Sequence, residues 1–262
     1  TMKLSKYTFL LFVLFAWNHT AVAQKQKTSV TQQRSEQFHR CGSQTVLEEA
    51  IRKNPELRKQ MAANKQQRNK NIGQRIDRLL GTNAIITIPV VVHVVLPNPA
   101  LVTDAQIQAQ IDALNADYGG LNADSIRIPA AFKTRYGKGN LRFCLARRDP
   151  QGEGSNGIVR VTSTVTSEPG LADPVKFSCN GGSDAWNPSN YLNIWVCQMP
   201  NGFLGYSYYA SFPLSAVPLN ERGFVTNFRS FGIGGSAQAP YNLGRTATHE
   251  IGHFFDLDHI WG

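Results

Sequence analysis

The chain has 262 residues, 42% hydrophobic and 17% charged, which excludes a disordered, collagen-like or coiled-coil polymer and allows a sizeable buried core. Its formal charge of +9 invites a nucleic-acid role, but the charge is not spread evenly: residues 24–82 carry 13 Lys/Arg against 5 Asp/Glu, whereas residues 83–262 carry 12 against 13. Beyond Phe38 the basic arm has no aromatic residues interleaved for base stacking, so no nucleic-acid partner is expected.

In chain order, Lys3 and Lys6 precede eleven largely apolar residues, Tyr7 to Trp17, and then Ala21-Val22-Ala23. That is the plan of a secretory signal peptide over residues 1–23, cleaved after Ala23, and it predicts a secreted, extracellular product. The apolar run is shorter than the roughly 20 residues needed to span a bilayer, and Gln24 rather than Cys follows it, so no stable membrane anchor is expected. Residues 24–82 are rich in Gln, Lys, Arg and Asn and contain one predicted helix, Val46 to Arg68, with few apolar anchors. Such a segment must lie on something or be removed. On residue grounds alone, Cys41 in Arg40-Cys41-Gly42 is a leftover thiol or half of a disulfide.

Ile85 to Leu96 is β-branched and almost continuously apolar, as a strand buried on both faces should be. Thr103 is an N-cap, and Ile107, Ile111 and Leu114 form one stripe, predicting a helix to about Tyr118 that backs the sheet. Further strands are expected at Leu141 to Ala146, Gly157 to Val161, Tyr191 to Cys197 and Gly223 to Asn227. His93 reads as a packed structural histidine. Cys144, Cys179 and Cys197 are an odd set for an oxidising compartment, and one disulfide is expected among them with its connectivity open.

Near the C-terminus His249, Glu250 and His253 make HExxH, and His259 follows six residues later. On a helix, His249 and His253 stand one turn apart on one face, so both imidazoles reach a single ion, with Glu250 one residue round. Three neutral imidazoles leave zinc's fourth tetrahedral position to a water whose pKa falls to about 7, and Glu250 stands where it can take that proton: the chemistry of peptide hydrolysis. His259 reaches the same point only if the helix stops and the chain turns sharply. Glycine usually makes such a turn; Asp256 stands there, and Asp tolerates the left-handed region at a cost of roughly 1 kcal/mol. Asp258 reads more readily as a solvated turn residue than as the partner of a ligand ring.

The segment HEIGHFFDLDHIWG resembles the zinc signature of the pappalysin family of metzincin metalloproteases, its bacterial branch in particular. IPVVVHVV (88–95), TDAQIQAQIDALNADY (103–118), NLRFCLARRDP (140–150), DAWNPSNYLNIWVC (184–197) and NLGRTATHE (242–250) extend the similarity over most of residues 84–262. The resemblance implies an α/β fold: a metzincin-like N-terminal subdomain with a mixed twisted sheet, a backing helix and an active-site zinc helix. It implies the division 1–23 signal peptide, 24–82 pro-segment and 83–262 catalytic domain, truncated before a C-terminal subdomain. Arg40-Cys41-Gly42 resembles a cysteine switch, in which a pro-segment thiolate occupies zinc's open position, so that cleavage near Arg68, Arg75 or Arg78 activates the enzyme. Phe203 to Ala210 resembles the family's cleft-edge strand, which binds extended substrate; an ordinary hairpin strand with exposed tyrosines is the alternative. The function expected is a secreted zinc endopeptidase with Glu250 as general base, His249, His253 and His259 as ligands, protein or peptide substrates, and its own pro-segment as inhibitor. Calcium is implied too, at sites largely outside this chain. The alternative is a non-catalytic secreted zinc-binding module.

Overall fold

The computed structural model describes residues 41–79 and 85–259. The expected signal peptide, 1–23, lies outside the described residues. Six strands, β1 (Ile86–Leu96), β2 (Leu141–Leu145), β3 (Ile158–Thr162), β4 (Leu192–Cys197), β5 (Gly205–Ser207) and β6 (Phe224–Asn227), form one sheet in the order β2-β1-β4-β6-β5, with β3 paired to the second half of β1. All pairings are parallel except β5 with β6, and β5 is the edge. β4 is buried along its whole length between two layers, apolar except for Asn193.

The two-residue alternation of the strands divides the core. Val90, Val92 and Val94 of β1, Ile194 and Val196 of β4 and Phe224 of β6 face one layer, while Val95, Trp195, Cys197 and Val225 face the other. Helix α3 (Asp104–Tyr118) fills the first layer with Ile107, Ile111 and Leu114, and Thr103 caps it by accepting from Gln106 N at 3.1 Å, as expected. The second layer is closed by the N-terminal helices. The single helix predicted over Val46 to Arg68 is two, α1 (Ser43–Lys53) and α2 (Leu57–Leu79). Pro55 is the cause: it has no N–H to give a helix and drives Asn54 to φ −140°, ψ 91°. Val46, Leu47, Ala50 and Leu57 are all buried, and each of the three larger ones contributes roughly 1.5–3 kcal/mol of burial free energy.

Buried polar side chains of α3 set the start of the last helix, α4 (Arg245–Phe254). Gln110 donates to Gly244 O at 3.0 Å and accepts from Gly232 N at 2.7 Å. Gly244 has φ 72°, and a Cβ there would sit 2.9 Å from Ala113 Cβ, so only glycine lets α4 begin against α3. Arg245 pairs with Asp117 and Asp124, and Thr248 Oγ1 donates to Asp117 at 2.6 Å, fastening α4 along the end of α3.

Two expectations are corrected. The expected disulfide is not present: all four cysteines are free thiols. Cys144 lies opposite Pro89 of β1 and Cys197 opposite Val95 on its other side, roughly 20 Å along the strand, far beyond disulfide reach. The strand expected over Phe203 to Ala210 shortens to Gly205–Ser207, and its tyrosines are buried. Tyr206 and Tyr208 enclose the buried Lys176 ammonium, at 5.0 and 3.7 Å from the ring centroids, so their rings face the core rather than solvent. Burial holds Lys176 down to about 7, and its ammonium donates to Glu221 O at 2.9 Å. Among the described residues no helix is long and apolar enough to cross a membrane.

His93 is structural. It stacks on Trp195 at 5.2 Å, with Nδ1 2.8 Å from Ser183 Oγ and Nε2 3.0 Å from Asn193 Oδ1. Burial holds its pKa down to about 4, although the Asn193 bond opposes this. A histidine whose folded pKa is depressed stabilises fully above its unfolded pKa near 6.5 and loses that stability as pH falls towards 4. The urea-unfolding free energy of the full chain is therefore expected to fall between pH 6.5 and 4 by about 3 kcal/mol more than that of His93→Gln; parallel pH profiles would contradict this.

Candidate metal centre

Helix α4 buries Ala247 and Ile251 in the first core layer, which turns the face bearing His249 and His253 outwards to a cavity of about 460 Å³. The cavity is also lined by Asp117, Tyr118, Gly252, Leu257 and His259. The helix ends in a double hydrogen-bonded turn: Leu257 N donates to Gly252 O and Asp256 N to His253 O, both at 2.9 Å. Asp256 occupies the left-handed position with φ 65°, as expected, at a cost of roughly 1 kcal/mol relative to glycine.

That reversal brings His259 back. The three Nε2 atoms lie 3.0 Å (His249 to His253), 3.1 Å (His253 to His259) and 3.1 Å (His249 to His259) apart. Ligands on a tetrahedral zinc at 2.0–2.1 Å stand about 3.3 Å from one another, so the triangle matches one ion to within a few tenths of an ångström. Cys41 Sγ stands 3.4 Å from His253 Nε2, and the four donor atoms all lie within 4.8 Å of one another. Three nitrogens and a sulfur are a donor set that zinc favours.

Protonation fits as well. Burial, reinforced by the two neighbouring imidazoles, holds His249 down to about 4, and burial lowers His253 and His259, so all three are neutral near pH 7. His253 Nδ1 donates its N–H to Leu257 O at 2.8 Å, which leaves the Nε2 lone pair facing the other rings. Burial, and then the nearby Glu250 carboxylate, pushes the Cys41 thiol up to about 12; a dication at the centre would reverse this and deprotonate it.

Glu250 is buried beneath the cluster. Its Oε2 accepts from Ser43 Oγ at 3.0 Å, with Cys41 Sγ 3.9 Å away. Burial pushes the carboxyl up to about 8, against the Ser43 and Cys41 bonds that favour the charged form. A Cβ at position 205 would lie 3.0 Å from Glu250 Cγ, so glycine there lets β5 approach the carboxylate. Residues 41–43 run along the open edge of β5: Cys41 bridges Gly205 in the parallel sense, Gly42 N donates to Gly205 O at 2.8 Å, and Ser43 Oγ accepts from Ser207 N at 2.8 Å.

The five residues assigned to the site from sequence, His249, Glu250, His253, His259 and Cys41, are thus gathered in one place. Asp258 is exposed. Sequence reasoning missed Ser43, which reads simply as the first residue of a helix, and Tyr209, whose ring centroid lies 5.5 Å from that of His253. Neither carries a spacing signal, because both are placed by tertiary pairing.

Comparison with known proteins gives the family. The peptidase M43 family model, described as pregnancy-associated plasma protein-A, matches residues 180–262. An extracellular metalloprotease of Verticillium alfalfae is 28% identical over 183 residues, which are 67% of this chain and 53% of that protein. The chain therefore spans about half the length of that curated relative. Mature mirolysin of Tannerella forsythia, solved with a cleaved peptide, is 46% identical with a TM-score of 0.63, over 68% of this chain and 66% of that one. A promirolysin mutant of the same organism is 38% identical with a TM-score of 0.65, over 85% of this chain and 70% of that one. On that likeness the chain belongs to the pappalysin family of metallopeptidases and has its mixed α/β fold.

Proposed function

We propose that the protein is a secreted zinc endopeptidase made as a latent precursor, with residues 1–23 as signal peptide, 24–82 as pro-segment and 83–262 as the catalytic part. The observation that carries this reading is the convergence of three neutral imidazoles and one thiol on a single point beside a buried carboxylate. His249, His253 and His259 would hold the ion. Zinc there would supply a Lewis acid to polarise a peptide carbonyl and acidify water.

The chain's own groups do the rest. Glu250, whose oxygen faces the point where the donors converge, would take the attacking water's proton on its carboxylate and pass it to the leaving amine. The open edge of β5 offers main-chain groups to an extended peptide, in keeping with the cleaved peptide named for mirolysin. Export accords with relatives named extracellular metalloproteases.

Latency rests on residues 41–43. Cys41 places its sulfur where the open position would be, Gly42 takes the β5 edge, and Ser43 occupies the proton-accepting oxygen of Glu250. Substrate and pro-segment cannot share these groups, and the likeness to a promirolysin supports the same division.

Two outcomes test this. The full chain is expected to hold about one zinc; after limited proteolysis it should cleave peptide, and Glu250→Ala should keep the zinc while losing at least about 10²-fold in rate. Cleavage retained by that variant would refute the role of Glu250, and zinc uptake without cleavage in the wild type would favour a non-catalytic module. Ser43→Ala leaves Ser207 N without its buried acceptor, and urea unfolding of the intact precursor should show a loss of about 1–3 kcal/mol. An unchanged midpoint would mean that the Ser43 contacts contribute nothing to holding the pro-segment.

A further inference from the structure

Glycine is the least strained residue at the left-handed position after a helix, yet this chain has Asp256 there with a buried side chain. The carboxylate is fully engaged. Oδ1 accepts from Ser211 N at 2.8 Å and from Ser211 Oγ at 2.6 Å, and Oδ2 pairs with Arg68 of α2. Ala210 N donates to Phe254 O at 3.2 Å, so the segment leaving edge strand β5 is tied to the end of α4 by three hydrogen bonds.

The turn at Asp256 acts on two of the candidate ligands at once. It places Leu257 so that its carbonyl accepts from His253 Nδ1 at 2.8 Å, and it returns the chain so that His259 Nε2 comes within 3.1 Å of both other Nε2 atoms. We propose that Asp256 is a positioning residue. Its carboxylate, clamped by Ser211, holds the turn that aims His253 and His259 at the ion and couples that geometry to the substrate-edge segment. The proposal rests on the zinc reading above. In the precursor the pro-segment grips the same residue from outside, through Arg68 and through Lys65 Nζ, which donates to Asp256 O at 3.1 Å. The Ser211 side of the clamp belongs to the domain itself.

Three substitutions in the full chain separate a clamp from a mere turn. Asp256→Gly relaxes the backbone but removes the clamp; Asp256→Asn keeps an oxygen for Ser211 and tolerates the left-handed conformation; Ser211→Ala removes one of the two donors. The readouts are zinc affinity by chelator competition and the visible spectrum of the cobalt(II) form, which reports ligand geometry. Asp256→Gly is expected to bind zinc roughly 10–100-fold more weakly, the range for losing an outer partner of a ligand, with an altered cobalt spectrum. Asp256→Asn should stay close to the wild type, and Ser211→Ala should weaken binding by a smaller factor. Zinc affinity and cobalt spectrum unchanged in Asp256→Gly, or in Ser211→Ala should the glycine variant not fold, would overturn the clamp while leaving the zinc reading intact. A wild-type chain that takes up no zinc, or binding indifferent to His259→Ala, would overturn both.

Discussion

The structure depends on one geometric demand: three imidazoles, two on a helix and one beyond its end, must share a point. Two of them meet it through helical spacing alone, since His249 and His253 are one turn apart. The third requires the chain to stop, enter the left-handed region and double back within six residues. Much of the surrounding architecture bears on that requirement. Gln110 and Gly244 set where α4 begins, Asp117 fastens it through Arg245 and Thr248, and Ser211 holds the residue on which the reversal turns.

The second demand is that the arm of residues 41–79 be ordered without folding by itself. Its helices have too few apolar residues for a core of their own, and they complete the outer layer of another: Val46, Leu47, Ala50 and Leu57 pack beneath Trp195, Tyr206 and Val225. Burial supplies the adhesion, while a short polar stretch, Cys41 to Ser43, supplies the specificity by meeting β5, His253 and Glu250 through directed bonds. Removal of the arm would therefore uncover both the site and one face of the sheet's outer layer.

How much of this could be read beforehand follows from the range of each interaction. The core strands and α3 came within a residue or so of their observed limits because burial on both faces and a capped apolar stripe are local patterns. The convergence of His249, His253 and His259 was legible for the same reason, and the turn at Asp256 followed from the number of residues between His253 and His259. The break at Pro55 was a local signal overlooked within an otherwise helical composition. Ser43, the inward tyrosines around Lys176 and the short length of β5 were beyond reach, because each depends on what the chain packs against rather than on its neighbours in sequence.

The central claim is that zinc in the intact chain is held by three imidazoles and one thiolate. X-ray absorption at the zinc edge of the full chain tests it directly: the account predicts three nitrogen neighbours at about 2.0–2.1 Å, with imidazole scattering, and one sulfur at about 2.3 Å. A first shell without sulfur, or with fewer than three imidazoles, would contradict it.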